Sequence, residues 1–309
     1  MKRAAQCLVA FVLLWLVVRN VDGPSFVAAL QRLRVSSLTT ATLLFFLACA
    51  LAVAKWRLLW RRATWWQMLS ANFVAQFYSV ALPGQLAGEV VKTLRVGHSF
   101  SDTTNVAASV IVDRATGLFG IFALALGGAL LSTSTAATHA VFALCVMVVG
   151  ALCGLFVATR PGFIAAASSG LASLGSRFRW LRRLTQTLVN LLSAWASLIS
   201  DPRAIVGAII LGIVYQALGV GINYTIATGV GVYVEFTDWC WVFGLASAVL
   251  LLPITIAGIG VREATYVGLL GLFNVSIEDA VLISLVGFGV SLIGVLIGGV
   301  LELLREPNA

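Results

Sequence analysis

Apolar residues run along this chain in long blocks, and polar and apolar positions do not alternate within them. Six blocks stand out, at 4–18, 38–54, 106–131, 140–158, 205–229 and 280–301. A helix needs about 20 apolar residues to cross the hydrocarbon core of a bilayer, and all but the first block reach or approach that length. Membrane barrels alternate lipid-facing and lumen-facing residues, so these blocks predict helices. Two further apolar segments, 67–98 and 239–271, are interrupted. Pro83, Gly84 and Gly88 break the first, and Pro253, Gly258 and Gly260 break the second, since neither residue type sustains a helix interior. The predicted fold is an all-α polytopic membrane protein with about six full crossings and two broken re-entrant helical hairpins. Hydropathy alone also allows each interruption to be a kink in a full crossing.

The two interruptions read alike. L-P-G-Q-L-A-G occupies 82–88 and L-P-I-T-I-A-G occupies 252–258, and a cation follows nine residues after each proline, at Lys92 and Arg262. Each broken segment lies between two crossings, the first entering from the cytoplasm and the second from outside. This predicts an inverted-topology repeat within a single integral membrane domain, 1–309. The first half is 1–160 with its broken segment at 67–98. A basic amphipathic cytoplasmic connector spans 161–203, and the second half is 204–309 with its broken segment at 239–271. Inverted pairs of broken segments form midplane substrate sites in many transporters, which predicts that Lys92 and Arg262 approach one another.

Composition supports the membrane reading, with 60% hydrophobic and 10% charged residues and a mean hydropathy of +1.02. The formal charge of +8 would suggest nucleic acid in a soluble chain. Here the bases collect in a few loops, as the positive-inside rule requires, so no nucleic-acid partner is expected and both termini are assigned to the cytoplasm. Lys55, Arg57, Arg61 and Arg62, with Trp56, Trp60, Trp65 and Trp66 around them, read as an inner-interface segment. The 4–18 run follows Lys2 and Arg3 but lacks a small-x-small cleavage site, and so reads as a first membrane helix. Leu181, Leu184, Leu188, Leu191, Leu192 and Trp195 recur at helical spacing beside Arg177, Arg179, Arg182 and Arg183. That pattern suits a helix lying on anionic lipid, and it would also serve to dock a soluble enzyme. Five scattered cysteines and two distant histidines point to no metal or cofactor.

The candidate chemistry lies where charge meets apolar sequence. Glu89, Lys92 and Arg95 follow the first break at three-residue spacing, one side of a helix on which Glu89 can pair with Lys92. A helix beginning there, with Gln85 before it, would suit an anion such as a lipid phosphate, and it would equally be an ordinary helix start with bases reaching the interface. Arg262 and Glu263 follow A-G-I-G inside apolar sequence and need partners or a wet cavity. Asp113 and Arg114 sit inside a crossing, as a structural pair or as part of a pathway. Gly150 with Gly154, and Gly294 with Gly298, have the spacing of helix contacts. No D-x-D, nucleotide loop or nucleophile elbow occurs, so nothing calls for catalysis.

W-R-L-L at 56–59, L-P-G-x-x-x-G-E at 82–89 and A-G-I-G-V-R-E-A at 257–264 resemble the flippase-like transmembrane region of lysylphosphatidylglycerol synthases, which also occurs as a stand-alone protein. The resemblance covers nearly the whole chain. It implies a bacterial inner (plasma) membrane protein that moves an anionic phospholipid or lipid-linked substrate between leaflets. The synthases' soluble aminoacyl-transferring domain has no counterpart here, so lipid lysylation is not implied. The family commonly has arginine where this chain has Lys92, and an acid near the position of Gly117. Under this reading Lys92, Arg95 and Arg262 contact the headgroup, and Glu89 and Glu263 position those cations or couple protons. A membrane-embedded lipid-modifying enzyme and an accessory subunit for a soluble enzyme are the alternatives, and a homo-oligomer is compatible with each.

Overall fold

A computed structural model of the protein describes residues 15, 19–82, 87–177, 182–252 and 255–305, so Pro83, Gly84, Gln85, Pro253 and most of the 4–18 run lie outside the described residues. Every regular element among the described residues is helical. The first half contains α1 (Gly23–Arg32), α2 (Val35–Leu59), α3 (Trp65–Ala81), α4 (Ala87–Ser99), α5 (Thr103–Leu131) and α6 (Thr135–Thr159). The connector forms α7 (Pro161–Arg177) and α8 (Arg182–Ile199). The second half contains α9 (Pro202–Val230), α10 (Phe236–Leu250), α11 (Val261–Gly271) and α12 (Ile277–Leu303).

Among the described residues α2, α5, α9 and α12 are long and apolar enough to cross a membrane. At 25 to 29 residues each, they extend about 38–44 Å against a hydrocarbon core of about 30 Å. Polar side chains fix several of the starts. Thr64 and Gln67 form a reciprocal capping box on α3, Asp201 accepts from the backbone of Arg203 and Ala204 on α9, and Ser276 caps α12. Each supplies an acceptor to amides that have no partner inside the helix.

The arms of the broken segments are shorter. α3 and α4 have 17 and 13 residues, and α10 and α11 have 15 and 11, so each spans about 17–26 Å and falls short of the core. The arms of the first segment pack side by side. A Cβ on Gly88 would stand 2.2 Å from both the Ala75 carbonyl oxygen and Ser79 Oγ, so only glycine allows that approach. The second segment turns through a 3₁₀ turn at Ile256–Gly258, with Ala257 at φ 54°, Gly258 at φ 74° and Gly260 at φ 84°. Glycine adopts such values freely, whereas alanine is strained there.

The two halves interlock. α2 and α9 pack along their lengths, antiparallel, with the Arg34 amide donating to the Gly229 carbonyl at 3.2 Å. α12 packs on α3, where a Cβ at Gly298 would fall 2.0 Å from the Phe73 carbonyl oxygen and one at Gly294 2.3 Å from Gln76 Oε1. α5 packs on α10, where a Cβ at Gly128 would fall 2.4 Å from Cys240 Cβ and one at Gly244 2.3 Å from Ala125 Cβ. The first arm of each broken segment is therefore held by the long helix that follows the other. The turn at Ile256–Gly258 also touches α3.

Two readings need correction. Trp56 and Trp60 are buried in a cluster with Val53, Met68 and Val106, while Trp65 and Trp66 are exposed. Trp56 faces inward because its indole N–H donates to Ser109 Oγ at 3.0 Å across to α5. Gly294 and Gly298 make the helix contact expected of them, but among the described residues a Cβ on Gly150 or Gly154 would meet nothing within 4 Å. The connector is a pair of helices packed on one another, with α8 also lying on α5. Trp195 and Leu198 of α8 pack against Leu59, Val112 and Ala208, whereas Leu184 and Leu188 remain exposed.

Candidate functional site

A cavity of about 450 Å³ opens among α2, α3, α4, α5, α9, α10 and α12. Its charged lining residues are Lys55, Glu89, Lys92, Asp113 and Arg114. Within apolar helices such charges are costly unless they are paired, and here they form an alternating chain. Lys55 Nζ donates to the Asp113 carbonyl oxygen at 2.8 Å and lies 3.1 Å from its Oδ1. Lys92 Nζ stands 3.9 Å from Asp113 Oδ2 and 3.7 Å from Glu89 Oε2. Arg114 Nη2 closes the chain by donating to Glu89 Oε1 at 2.6 Å. Three cations thus face two carboxylates.

Exposure grades along the chain. Lys55 and Lys92 are each 4% exposed, whereas the Arg114 side chain is 42% exposed. Lys92 Nζ sits 4.2 Å from the centre of the buried Trp56 ring, a cation–π contact that fixes the ammonium without neutralising it. A Cβ on Gly117 would come within 3.2 Å of Lys55 Nζ, so the glycine leaves room for that lysine. Among the described residues the buried Glu89 Oε2 and Asp113 Oδ1 accept no hydrogen bond, although each lies within ion-pair distance of a lysine. Two acceptors in the cavity are therefore charge-compensated but lack a donor in good geometry.

The remaining candidates lie elsewhere. Arg95 leaves the cavity and pairs with Glu302 at the end of α12, where Tyr78 Oη also donates to Glu302 at 3.3 Å. Arg262 and Glu263 do not line the cavity. Glu263, 1% exposed, accepts from the Gly260 amide at 2.6 Å and from Arg262 Nη2 at 2.9 Å. Arg262 in addition donates to Ser284 Oγ at 3.2 Å and lies over the Phe288 ring. This closed cluster ties the start of α11 to α12. Gly88 is buried in the first turn of α4 and Gly258 in the 3₁₀ turn, and Gly260 supplies the amide that Glu263 holds.

Asp113 and Arg114 do not neutralise each other, since their partners are Lys55, Lys92 and Glu89. Sequence reasoning missed Lys55, which it grouped with the loop bases, and Glu302. The available signal was one of charge balance: Asp113 at membrane depth, next to a cation that turned away, required a second cation.

Neither the curated proteins nor the solved structures contain a chain that matches this one. Residues 3–299 match the family described as the lysylphosphatidylglycerol synthase TM region. With Glu89 of L-P-G-x-x-x-G-E lining the cavity and A-G-I-G-V-R-E-A spanning the second turn and the start of α11, the protein belongs to the lysylphosphatidylglycerol synthase TM-region family.

Proposed function

We propose that the protein is a lipid translocase of the bacterial inner membrane, carrying an anionic headgroup through the cavity while the lipid tails stay in the bilayer. The observation that carries this reading is the ion-paired chain from buried Lys55 to half-exposed Arg114 inside an otherwise apolar helical bundle. Ionisable groups at membrane depth are expensive and mark substrate or ion pathways. Arg114 and Lys92 contact the headgroup phosphate, and Glu89 and Asp113 hold those cations in place between transport events. Arg262 and Glu263 hold the second turn to α12. No ATP motif occurs in the sequence, so movement is downhill or coupled to an ion.

The packing between the halves supports the inverted repeat that this reading uses. α2 and α9 are partners under an inverted repeat, and they pack on each other; exchanging α3 with α10 and α5 with α12 turns the α12–α3 contact into the α5–α10 contact. Reciprocity of this kind is what a two-fold axis in the membrane plane produces, with each broken segment re-entering from its own side. The basic end, with Arg57, Arg61, Arg62 and Arg305, faces the cytoplasm on the positive-inside rule.

Reconstitution tests this. In vesicles containing a fluorescent phosphatidylglycerol analogue, the protein should expose inner-leaflet label to an impermeant quencher added outside. Lys92→Gln and Arg114→Gln should each slow that exposure by about tenfold or more, equivalent to at least 1.4 kcal/mol of lost interaction. Wild-type vesicles that quench no further than protein-free ones would end the translocase reading.

A further inference from the structure

The tryptophan of W-R-L-L stands behind the cavity. Trp56 is 0% exposed and is not among the described residues that line the cavity. Its indole N–H donates to Ser109 Oγ at 3.0 Å, and Ser109 Oγ donates onward to the Val106 carbonyl oxygen at 2.7 Å. Met68, Val96 and Val110 pack in the same cluster, so a ring supplied by α2 is fixed against α3, α4 and α5. The centre of that ring lies 4.2 Å from Lys92 Nζ. The face of an indole is electron-rich and attracts an ammonium, yet it offers no lone pair to occupy an N–H.

The ring accounts for the spacing of charge in front of it. Lys92 Nζ lies 3.7 Å from Glu89 Oε2 and 3.9 Å from Asp113 Oδ2, close enough to pair but beyond hydrogen-bond distance. The other two cations do close on their partners. Lys55 donates to the Asp113 carbonyl oxygen at 2.8 Å, and Arg114 donates to Glu89 Oε1 at 2.6 Å. Lys92 follows Glu89 by three residues on α4, a spacing at which such side chains meet. A competing attraction from the Trp56 side holds the ammonium short of that contact. Lys92 therefore lines the cavity with its charge compensated and with donors that neither carboxylate has claimed.

Resting on the translocase reading, we infer that Trp56 is a positioning residue for transport. The ring holds the Lys92 ammonium at the cavity wall, away from Glu89 and Asp113, so that its N–H groups are open to the oxygens of an incoming anionic headgroup. Without the ring Lys92 closes on Glu89, and the anion has to displace a carboxylate to reach it.

The chain is reconstituted in vesicles with the fluorescent phosphatidylglycerol analogue, and Trp56 alone is replaced by tryptophan carrying one, two, three or four fluorines on its benzo ring. Each fluorine withdraws charge from the ring face and barely alters its size, so packing is kept while the cation–π attraction fades. The lipid density that gives half-maximal movement should rise stepwise, reaching about tenfold at four fluorines, a difference of 1.4 kcal/mol. The maximal rate should stay within about twofold, and the thermal unfolding midpoint should not follow the series. Fluorine also makes the indole N–H a stronger donor to Ser109, so the series is repeated in Ser109→Ala, where the same slope is expected. Trp56→Phe should fall between wild type and Trp56→Leu; should either not fold, the fluorinated series decides alone. A flat series, or a slope that vanishes in Ser109→Ala, would assign Trp56 to packing or to its hydrogen bond and overturn the inference. Wild-type vesicles in which no lipid moves would remove the translocase reading. The same series, read by native mass spectrometry as phosphatidylglycerol binding in phosphatidylcholine nanodiscs, would then decide the positioning role by its slope.

Discussion

A single carboxylate shows how closely this protein balances buried charge. Glu263 is 1% exposed, and its two oxygens are taken by the Gly260 amide, Arg262 and Ser284. Glu263→Gln preserves shape but leaves Arg262 beside Phe288 without a counter-charge, and breaking a buried pair from one side costs about 3–5 kcal/mol. The midpoint of chemical unfolding in detergent should fall accordingly, and Arg262→Met in the same chain should recover much of the loss. A Glu263→Gln protein as stable as wild type would contradict the burial described for the pair. Ala257, held at φ 54°, offers the opposite case: Ala257→Gly should add about 1 kcal/mol by removing left-handed strain. Sequence exposed Glu263, Arg262, Asp113 and Glu89 because charge inside apolar sequence is visible without coordinates. It did not expose Lys55, which lies one residue past the end of an apolar block and among loop bases. Its placement depends on Asp113, 58 positions away.

At the level of elements, the two breaks were legible because proline and glycine act locally, whereas helix contacts depend on which face meets a neighbour. Gly150 with Gly154 and Gly294 with Gly298 have identical spacing, yet only the second pair touches another helix. Nothing in the local sequence separates the two. The contrast predicts opposite mutational effects. Gly298→Ala, with its methyl 2.0 Å from the Phe73 carbonyl oxygen, and Gly128→Ala, 2.4 Å from Cys240 Cβ, should each destabilise by about 1–3 kcal/mol through overpacking. Gly150→Ala and Gly154→Ala enter open space and should stabilise α6 by up to about 1 kcal/mol from helix propensity. Thermal unfolding of the four variants checks the set, and a Gly298→Ala protein as stable as Gly150→Ala would contradict the α3–α12 contact. Gly88 belongs with Gly298 and Gly128, since its helix approaches α3 closely enough to exclude any side chain.

For the molecule as a whole, the polar contacts that matter lie at opposite ends of the bundle. At the basic end Glu302 of α12 joins Arg95 of α4 and Tyr78 of α3. At the other end Asp238 of α10 accepts from Ser132 and Ser134 beyond α5 and from Trp241, at 2.6, 2.8 and 2.8 Å. Each set ties the first arm of a broken segment, or its neighbour, to the long helix of the other half, as the glycine contacts do. If the proposed transport rocks one half against the other, α4 and α12 should separate at Glu302 as the basic end of the bundle opens. Cysteines placed at Arg95 and Glu302, in a chain whose native cysteines have been replaced, and joined by a cleavable bismaleimide, should stop lipid movement. Cleaving the linker should restore it, and either single cysteine treated with the same reagent should retain the rate of its untreated form. Such a chain moving lipid at the unlinked rate while fully cross-linked would mean that α4 and α12 do not part during transport. The headgroup would then have to reach Arg114, the most exposed cation of the cavity, by a route that leaves the Arg95–Glu302 contact closed.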